Sequence, residues 1–184
     1  MQKKQGIGIV KKQDTLENRV NYAYLSLGSN LGNKIQNLES AKVLLKKFNI
    51  NIIKNSNYYE TESWPDKSFP NYFNSVVFIK TKYDLINLFK KIKLIEKKLG
   101  RMTTKKNHPR TCDIDIIDFN GTCFKMRYEA KKIQVPHVRM HKRNFVLFPM
   151  FDINKHWIHP KNKKNIVNLL FKLPHKDLRG IKII

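Results

Sequence analysis

Acidic side chains are scarce. The 184 residues hold 14 Asp and Glu against 37 Lys and Arg, a formal net charge of +23. An excess of that size admits two readings. Either the partner is polyanionic, as nucleic acid, a membrane surface or phosphates would be, or the composition itself is biased, since Lys, Asn and Ile recur in every segment. The lysines are spread along the chain and form no single stripe, which favours biased composition. Cysteine is almost absent: Cys112 and Cys123 stand alone, with no metal-ligand partners near them. They are expected as reduced, buried thiols in a cytoplasmic protein. No signal peptide, apolar run of transmembrane length or internal repeat is present. A chain of this length is expected to form one domain over residues 21–184. Residues 1–20, basic and without a sustained apolar period, read as a mobile N-terminal extension.

Against that scarcity, residues 113–118 hold three acids, Asp113, Asp115 and Asp118. Just upstream, residues 97–110 carry Lys97, Lys98, Arg101, Lys105, Lys106 and Arg110 and no acid. The segment CDIDII is β-branched and alternating, so residues 112–119 are expected as a strand. Period two puts Asp113 and Asp115 on one face and Cys112, Ile114 and Ile116 on the other. Two positions along a strand separate Cα atoms by roughly 6.5–7 Å. That spacing lets two carboxylates converge on one or two Mg²⁺ ions, which lie about 3.5–4 Å apart in two-metal sites. An edge strand with one solvated face would look the same. The neighbouring Pro109-Arg110 and the basic run weigh toward a metal between acids and a polyphosphate.

The rest of the chain supplies a scaffold. YAYLSLG (22–28) is a buried-strand candidate that ends in the turn Gly28-Ser29-Asn30. Asn30 or Asn33 can cap the helix that follows, whose stripe is Ile35, Leu38, Ala41, Leu45 and Phe48. No Gly-Lys-Ser/Thr follows this turn, which excludes a P-loop. Residues 50–60 read as a second strand, 61–72 as a loop with two prolines, and 71–81 as a third strand. Asp84 caps a second helix with stripe Leu85, Leu88, Phe89, Ile92, Ile95 and Leu99, stopped by Gly100. A basic loop (101–111) leads into the Asp-rich strand, and short helices are expected at 142–153 and 164–173. The order strand-helix-strand-strand-helix-strand is the ferredoxin-like βαββαβ core, an α+β fold with an antiparallel sheet, here with C-terminal additions.

Several blocks in order carry a resemblance. They are YLSLGSNLGN (24–33), ETESW (60–64), FPNYFNSVV (69–77), EKKLGR (96–101), PRTCDIDII (109–117) and VPHVRMHKRNFVLFPM (135–150). From about Tyr22 to Pro160 the chain resembles the 6-hydroxymethyl-7,8-dihydropterin pyrophosphokinase family of folate biosynthesis. The resemblance implies transfer of the β,γ-pyrophosphoryl group of ATP to the pterin hydroxymethyl oxygen, with release of AMP. It implies two Mg²⁺ ions on Asp113 and Asp115, and Arg101 and Arg110 as catalytic phosphate clamps. Glu96, His137 and Arg143 are implied at ATP. Tyr72 and Phe145 are implied to stack on the pterin, Asn74 to pair with it, and Thr61 with the backbone of Glu62 and Trp64 to line its edge.

Some positions depart from the family pattern. His108 stands where a small Gly or Ala is usual, and a bulky side chain there is costly if the backbone needs φ > 0. Thr103 replaces a second loop arginine, with Lys105 and Lys106 as substitute charges, and Val138 replaces a tyrosine. The loops at 62–71 and 101–111 are expected to close over ATP and exclude water. The expected partners are ATP and the pterin; neither a membrane nor a nucleic acid is expected, and an enzyme of this size can work as a monomer. A nucleic-acid module on this fold would carry aromatic residues on its central strands, and YLSLGSN and SVVFIKT lack that pattern. A homologue that binds without turnover is the other alternative, resting on His108 and Thr103.

Overall fold

The structure, a computed structural model, describes residues 20–101, 108–129 and 131–184. The proposed N-terminal extension (but for Val20) and Thr103, Lys105 and Lys106 lie outside the described residues. The chain order is β1 (Asn21–Ser29), α1 (Lys34–Lys47), β2 (Asn51–Asn55), β3 (Tyr59–Thr61), β4 (Tyr72–Thr81), α2 (Leu85–Lys98) and β5 (Asp113–Phe119). There follow a hairpin of β6 (Phe124–Tyr128) and β7 (Lys131–Val135), then α3 (Asn144–Ile153), α4 (Ile166–Leu170), α5 (His175–Arg179) and β8 (Ile181–Ile183). The main sheet runs β5-β1-β4-β3-β8, with β2 also on β4, and every pairing is antiparallel. This is the expected βαββαβ core. The single strand expected at 50–60 is two short ones, which pair in turn with β4. Between them Ser56 turns inward, and its Oγ accepts the Val76 N–H at 2.9 Å. The extended piece that QVPH (134–137) is expected to end is β7; its hairpin partner β6 and the strand β8 are additions that periodicity did not reveal.

Local signals set the helix ends. Asn33, not Asn30, caps α1, its Oδ1 accepting the Gln36 N–H at 3.1 Å. Asp84 does the same for α2 through the Asn87 N–H at 2.7 Å, and Gly100 ends it with φ +78. Leu38, Ala41 and Leu45 of α1 and Leu88, Ile92 and Ile95 of α2 pack on Leu25, Leu27, Ile114 and Ile116 of the sheet, all buried. Full burial of each Leu or Ile contributes roughly 1.5–3 kcal/mol. Ile35, expected in the α1 stripe, is exposed. The opposite sheet face has its own core, in which Tyr24, Val76 and Ile117 meet Leu147 and Met150 of α3, Ile166 of α4, and Trp157 from the segment between those helices. Cys112 is buried as expected, but Cys123 is exposed, because it lies in the turn before the hairpin and outside both cores. Among the described residues no helix is long and apolar enough to cross a membrane.

A register shift in β5 divides the acid cluster. Leu25 pairs with Ile116 but Tyr24 pairs with Asp118, so Ile117 is the extra residue of a bulge. Beyond it Asp118 is buried beneath Trp157, whose Nε1–H donates to Asp118 Oδ2 at 2.7 Å, and the Gly121 N–H donates to Oδ1 at 2.9 Å. The third acid is therefore a structural acceptor. Burial pushes its pKa up, against the hydrogen bonds that lower it. Asp118→Ala leaves the indole N–H without a partner and is expected to cost roughly 1–3 kcal/mol, read as a lower denaturation midpoint. Because the native carboxyl binds its proton more tightly than the unfolded one, the Asp118 contribution should shrink as pH rises from 3.8 through the raised native value. The stability difference between wild type and Asp118→Asn, followed across that window, should fall with pH; a flat difference would contradict the assignment.

Candidate active site

Across β5, β1, β4 and β3 the cross-strand partners form a row, Asp113–Gly28–Asn74–Tyr59. The next row on the same face is Asp115–Ser26–Val76. Residues opposite one another in a ladder share a face, so both aspartates lie on the α3 side of the sheet. There α3 covers the apolar half of the face, and Asp113 and Asp115 stay partly exposed at its polar end. Gly28 lies in the middle of the first row. A Cβ there would stand 3.1 Å from Asn74 Oδ1 and 3.7 Å from the Tyr72 ring. The absence of a side chain at position 28 is what lets Asn74 and Tyr72 lean toward Asp113.

Cations from three segments close on the carboxylates. Arg101, just past α2, places Nη1 2.5 Å from Asp113 Oδ1, and Arg110 places Nη1 3.0 Å from Oδ2. Arg143, at the N-terminus of α3, reaches Asp115 at 3.4 Å, and His137 Nε2 lies 4.0 Å from the same carboxylate. Burial pulls the Asp113 pKa up, but the two guanidinium groups outweigh it and hold the carboxyl below its ordinary value. Burial pushes the His137 pKa down more than Asp115 raises it, which favours a neutral imidazole. A third acid anchors the group from behind. Glu96, 2% exposed, accepts the Ile114 N–H at 2.8 Å and the Arg101 guanidinium on Oε1, and Lys93 at 2.8 Å on Oε2. Its bond to Ile114 fastens α2 to the residue between the two aspartates.

On the other flank, Asn74 Nδ2 donates to Thr61 Oγ1 at 2.9 Å, and both are buried. Tyr72 is half-buried two residues along the same strand face, and burial raises its phenol pKa. Phe145 opens α3 with the Arg143 guanidinium 5.3 Å from its ring centroid. The structure thus gathers Asp113, Asp115, Arg101, Arg110, Arg143, His137 and Glu96 in one polar network, with the Tyr72, Asn74 and Thr61 cluster beside it. The side chains of Glu62 and Trp64 stay outside: Glu62 pairs with Lys67 at 2.6 Å in solvent, and Trp64 is 73% exposed. His108 is not among the positive-φ residues, so its bulk costs no backbone strain, and its ring lies 5.6 Å from that of Phe69. Val138 is exposed.

Among the described residues, three buried side-chain polar atoms have no partner: Ser63 Oγ, Thr111 Oγ1 and His137 Nδ1. Each belongs to a segment already named, beside Thr61, beside Arg110 and facing Asp115. Buried polar atoms are nearly always satisfied in folded proteins; of the three, only His137 is also in contact with the aspartate row, through Nε2. Ser63, Thr111 and Lys93 were not singled out from sequence, and Gly28 was read only as the start of a turn. Only Gly28 carried a signal, as a glycine inside a strand pattern.

Comparison with known proteins identifies the family. Residues 24–155 match the family model for 7,8-dihydro-6-hydroxymethylpterin-pyrophosphokinase. The chain is 36% identical over 141 residues to an Aquifex aeolicus 2-amino-4-hydroxy-6-hydroxymethyldihydropteridine pyrophosphokinase, covering 77% of this chain and 85% of that one. It is 32% identical over 169 residues to the folic acid synthesis protein fol1 of Schizosaccharomyces pombe, covering 91% of this chain but only 22% of that longer protein. In structure it resembles the Plasmodium falciparum HPPK-DHPS with pterin and p-hydroxybenzoate, with TM-score 0.73 at 19% identity, over 91% of this chain and 46% of that one. With its open aspartate row, its arginines and a match over most of its length, the chain belongs to the 7,8-dihydro-6-hydroxymethylpterin-pyrophosphokinase family.

Proposed function

We propose that this chain transfers the pyrophosphoryl group of ATP to 6-hydroxymethyl-7,8-dihydropterin, in a Mg²⁺-dependent reaction that releases AMP. The observation that carries the reading is one sheet face on which two carboxylates, ringed by three arginines, adjoin a buried Asn-Thr pair. In the reaction the pterin hydroxyl oxygen attacks the β-phosphorus, the bond from that phosphorus to the oxygen retained by AMP breaks, and the hydroxyl proton is lost. Such transfers depend on in-line placement and charge neutralisation more than on covalent help from the protein.

Asp113 and Asp115 suit Mg²⁺, which prefers carboxylate oxygens and takes one or two of them beside phosphate and water. Among the described residues no cluster of three or more His, Cys, Asp or Glu is arranged to hold a metal. Two ions held there would neutralise the polyphosphate and acidify the acceptor hydroxyl. Arg101 and Arg110 exchange a carboxylate oxygen for phosphate oxygens, for which a guanidinium fork is equally suited. Arg143 and His137 meet the nucleotide from the α3 side, and Glu96 acts at ATP through Arg101, since its own oxygens are occupied by protein donors. Tyr72 and Phe145 stack on the pterin, with the loop backbone at Glu62 and Trp64 along its edge. With Thr61 accepting one N–H of Asn74, the Asn74 Oδ1 remains to accept from the ring. Closure of the 62–71 loop would exclude water; most of the 101–111 loop, at 102–107, lies outside the described residues.

The direct test is incubation with Mg²⁺, ATP and the pterin, following the nucleotide products. AMP formed in step with a pterin diphosphate is expected; ADP, or no pterin-dependent turnover, would refute the reading. Arg110→Ala is expected to lower kcat about 10²- to 10³-fold, the range for removing one preorganised donor to developing charge. Gly28→Ala places a methyl 3.1 Å from Asn74 Oδ1. It is expected to raise KM for the pterin while KM for ATP stays close to wild type; equal rises in both would count against the pterin assignment of Asn74.

A further inference from the structure

Asn30, which follows the last residue of β1, has no part in the chemistry above, yet it is fully buried. Its side chain is not needed as a helix cap, because Asn33 fills that role. Instead it bonds to both loops that flank the site. Asn30 Oδ1 accepts the Arg110 N–H at 2.9 Å, and the Asn30 N–H donates to the Arg110 carbonyl at 3.2 Å, a reciprocal pair. Its Nδ2 donates to the Pro70 carbonyl at 3.2 Å. Arg110 carries the guanidinium that holds Asp113, and Pro70 lies two residues before Tyr72. From behind, α1 steadies the turn, as Asn37 Nδ2 bonds to Ser29 Oγ at 3.1 Å and to the Leu31 carbonyl at 2.8 Å. The rings of Phe69 and His108 meet between the same two loops.

We propose that Asn30 is a positioning residue that sets the phosphate side and the pterin side of the site in register from the end of β1. The inference rests on the functional reading above. An amide is required because one side chain must accept from Arg110 and donate to Pro70 at once. A carboxylate keeps the first bond and loses the second; alanine loses both. Because Arg110 and the Tyr72 strand start share this fixed point, a shift at Asn30 misplaces both substrates together, and displacements of about 1 Å can cost roughly 10²-fold in rate.

Two variants separate this from a purely structural role. Asn30→Ala is expected to lower kcat/KM by roughly 10²-fold and to weaken binding of both the pterin and a non-hydrolysable ATP analogue, measured by calorimetry. Asn30→Asp, ionised, is expected to weaken the pterin by about tenfold, the size of one lost hydrogen bond, and to leave the analogue close to wild type. As pH falls and that carboxyl gains a proton it can donate to Pro70 again, so the pterin affinity of Asn30→Asp should recover at low pH while that of wild type does not. Pterin affinity of Asn30→Asp that is flat with pH, or equal losses for both ligands in both variants, would overturn the proposal. Amide exchange at Arg110, slow in wild type and in Asn30→Asp but fast in Asn30→Ala, reads the same contact without turnover. Should wild type make no AMP, the functional reading fails, and exchange that is unchanged in Asn30→Ala would overturn the positioning role separately.

Discussion

A carboxylate withdrawn from water must be neutralised, and in this protein that need organises the site. Asp113 sits at the end of a sheet strand with its carboxyl partly withdrawn from solvent, and Arg101 and Arg110 hold it ionised. Removing one partner of such a pair leaves the other charge half-buried and uncompensated, which costs more than the pair itself contributes. The arginines are therefore ordered before any substrate arrives. They are also the groups best shaped to receive phosphate. The same ion pairs hold two guanidinium groups, proposed above as phosphate clamps, against a carboxylate proposed to bind metal.

Around that pair the fold separates supports from working groups. Glu96 and Lys93 lie on the α2 side and fix Arg101 and the backbone at Ile114. Phe145 comes from the first turn of α3, and Arg143 from the residue that precedes it, on the other sheet face. The bulge at Ile117 allows one strand to serve both ends: before it Asp115 faces the site, and after it Asp118 turns into the Trp157 core. A regular strand would have kept Ile117 alone on that side and sent Asp118 toward the α1 and α2 core. Gly28 then leaves the centre of the row open for Asn74 and Tyr72.

Much of this was legible in the chain because it rests on local pattern. Period two placed Asp113 and Asp115 opposite Ile114 and Ile116, and spacing at three and four placed the faces of α1 and α2. Features set by distant partners were not legible. Nothing local says that Asp118 has an indole above it, that Glu96 turns its carboxylate to the protein, or that Asn30 leaves the cap to Asn33. The split of the second strand depends on Ser56 reaching Val76, and the exposed Cys123 on a hairpin that periodicity did not show. His108 is the opposite case: its bulk suggested strain, but its φ is ordinary and its ring finds Phe69.

The central claim is that Asp113 and Asp115 are held by arginine until a nucleotide brings a divalent ion to them. Mn²⁺ in place of Mg²⁺, titrated with detection by electron paramagnetic resonance, tests it with and without a non-hydrolysable ATP analogue. The account predicts weak Mn²⁺ binding to the protein alone, tight binding when the analogue is present, and loss of that tight binding in Asp113→Asn. Tight binding without nucleotide, or binding that Asp113→Asn leaves unchanged, would contradict it.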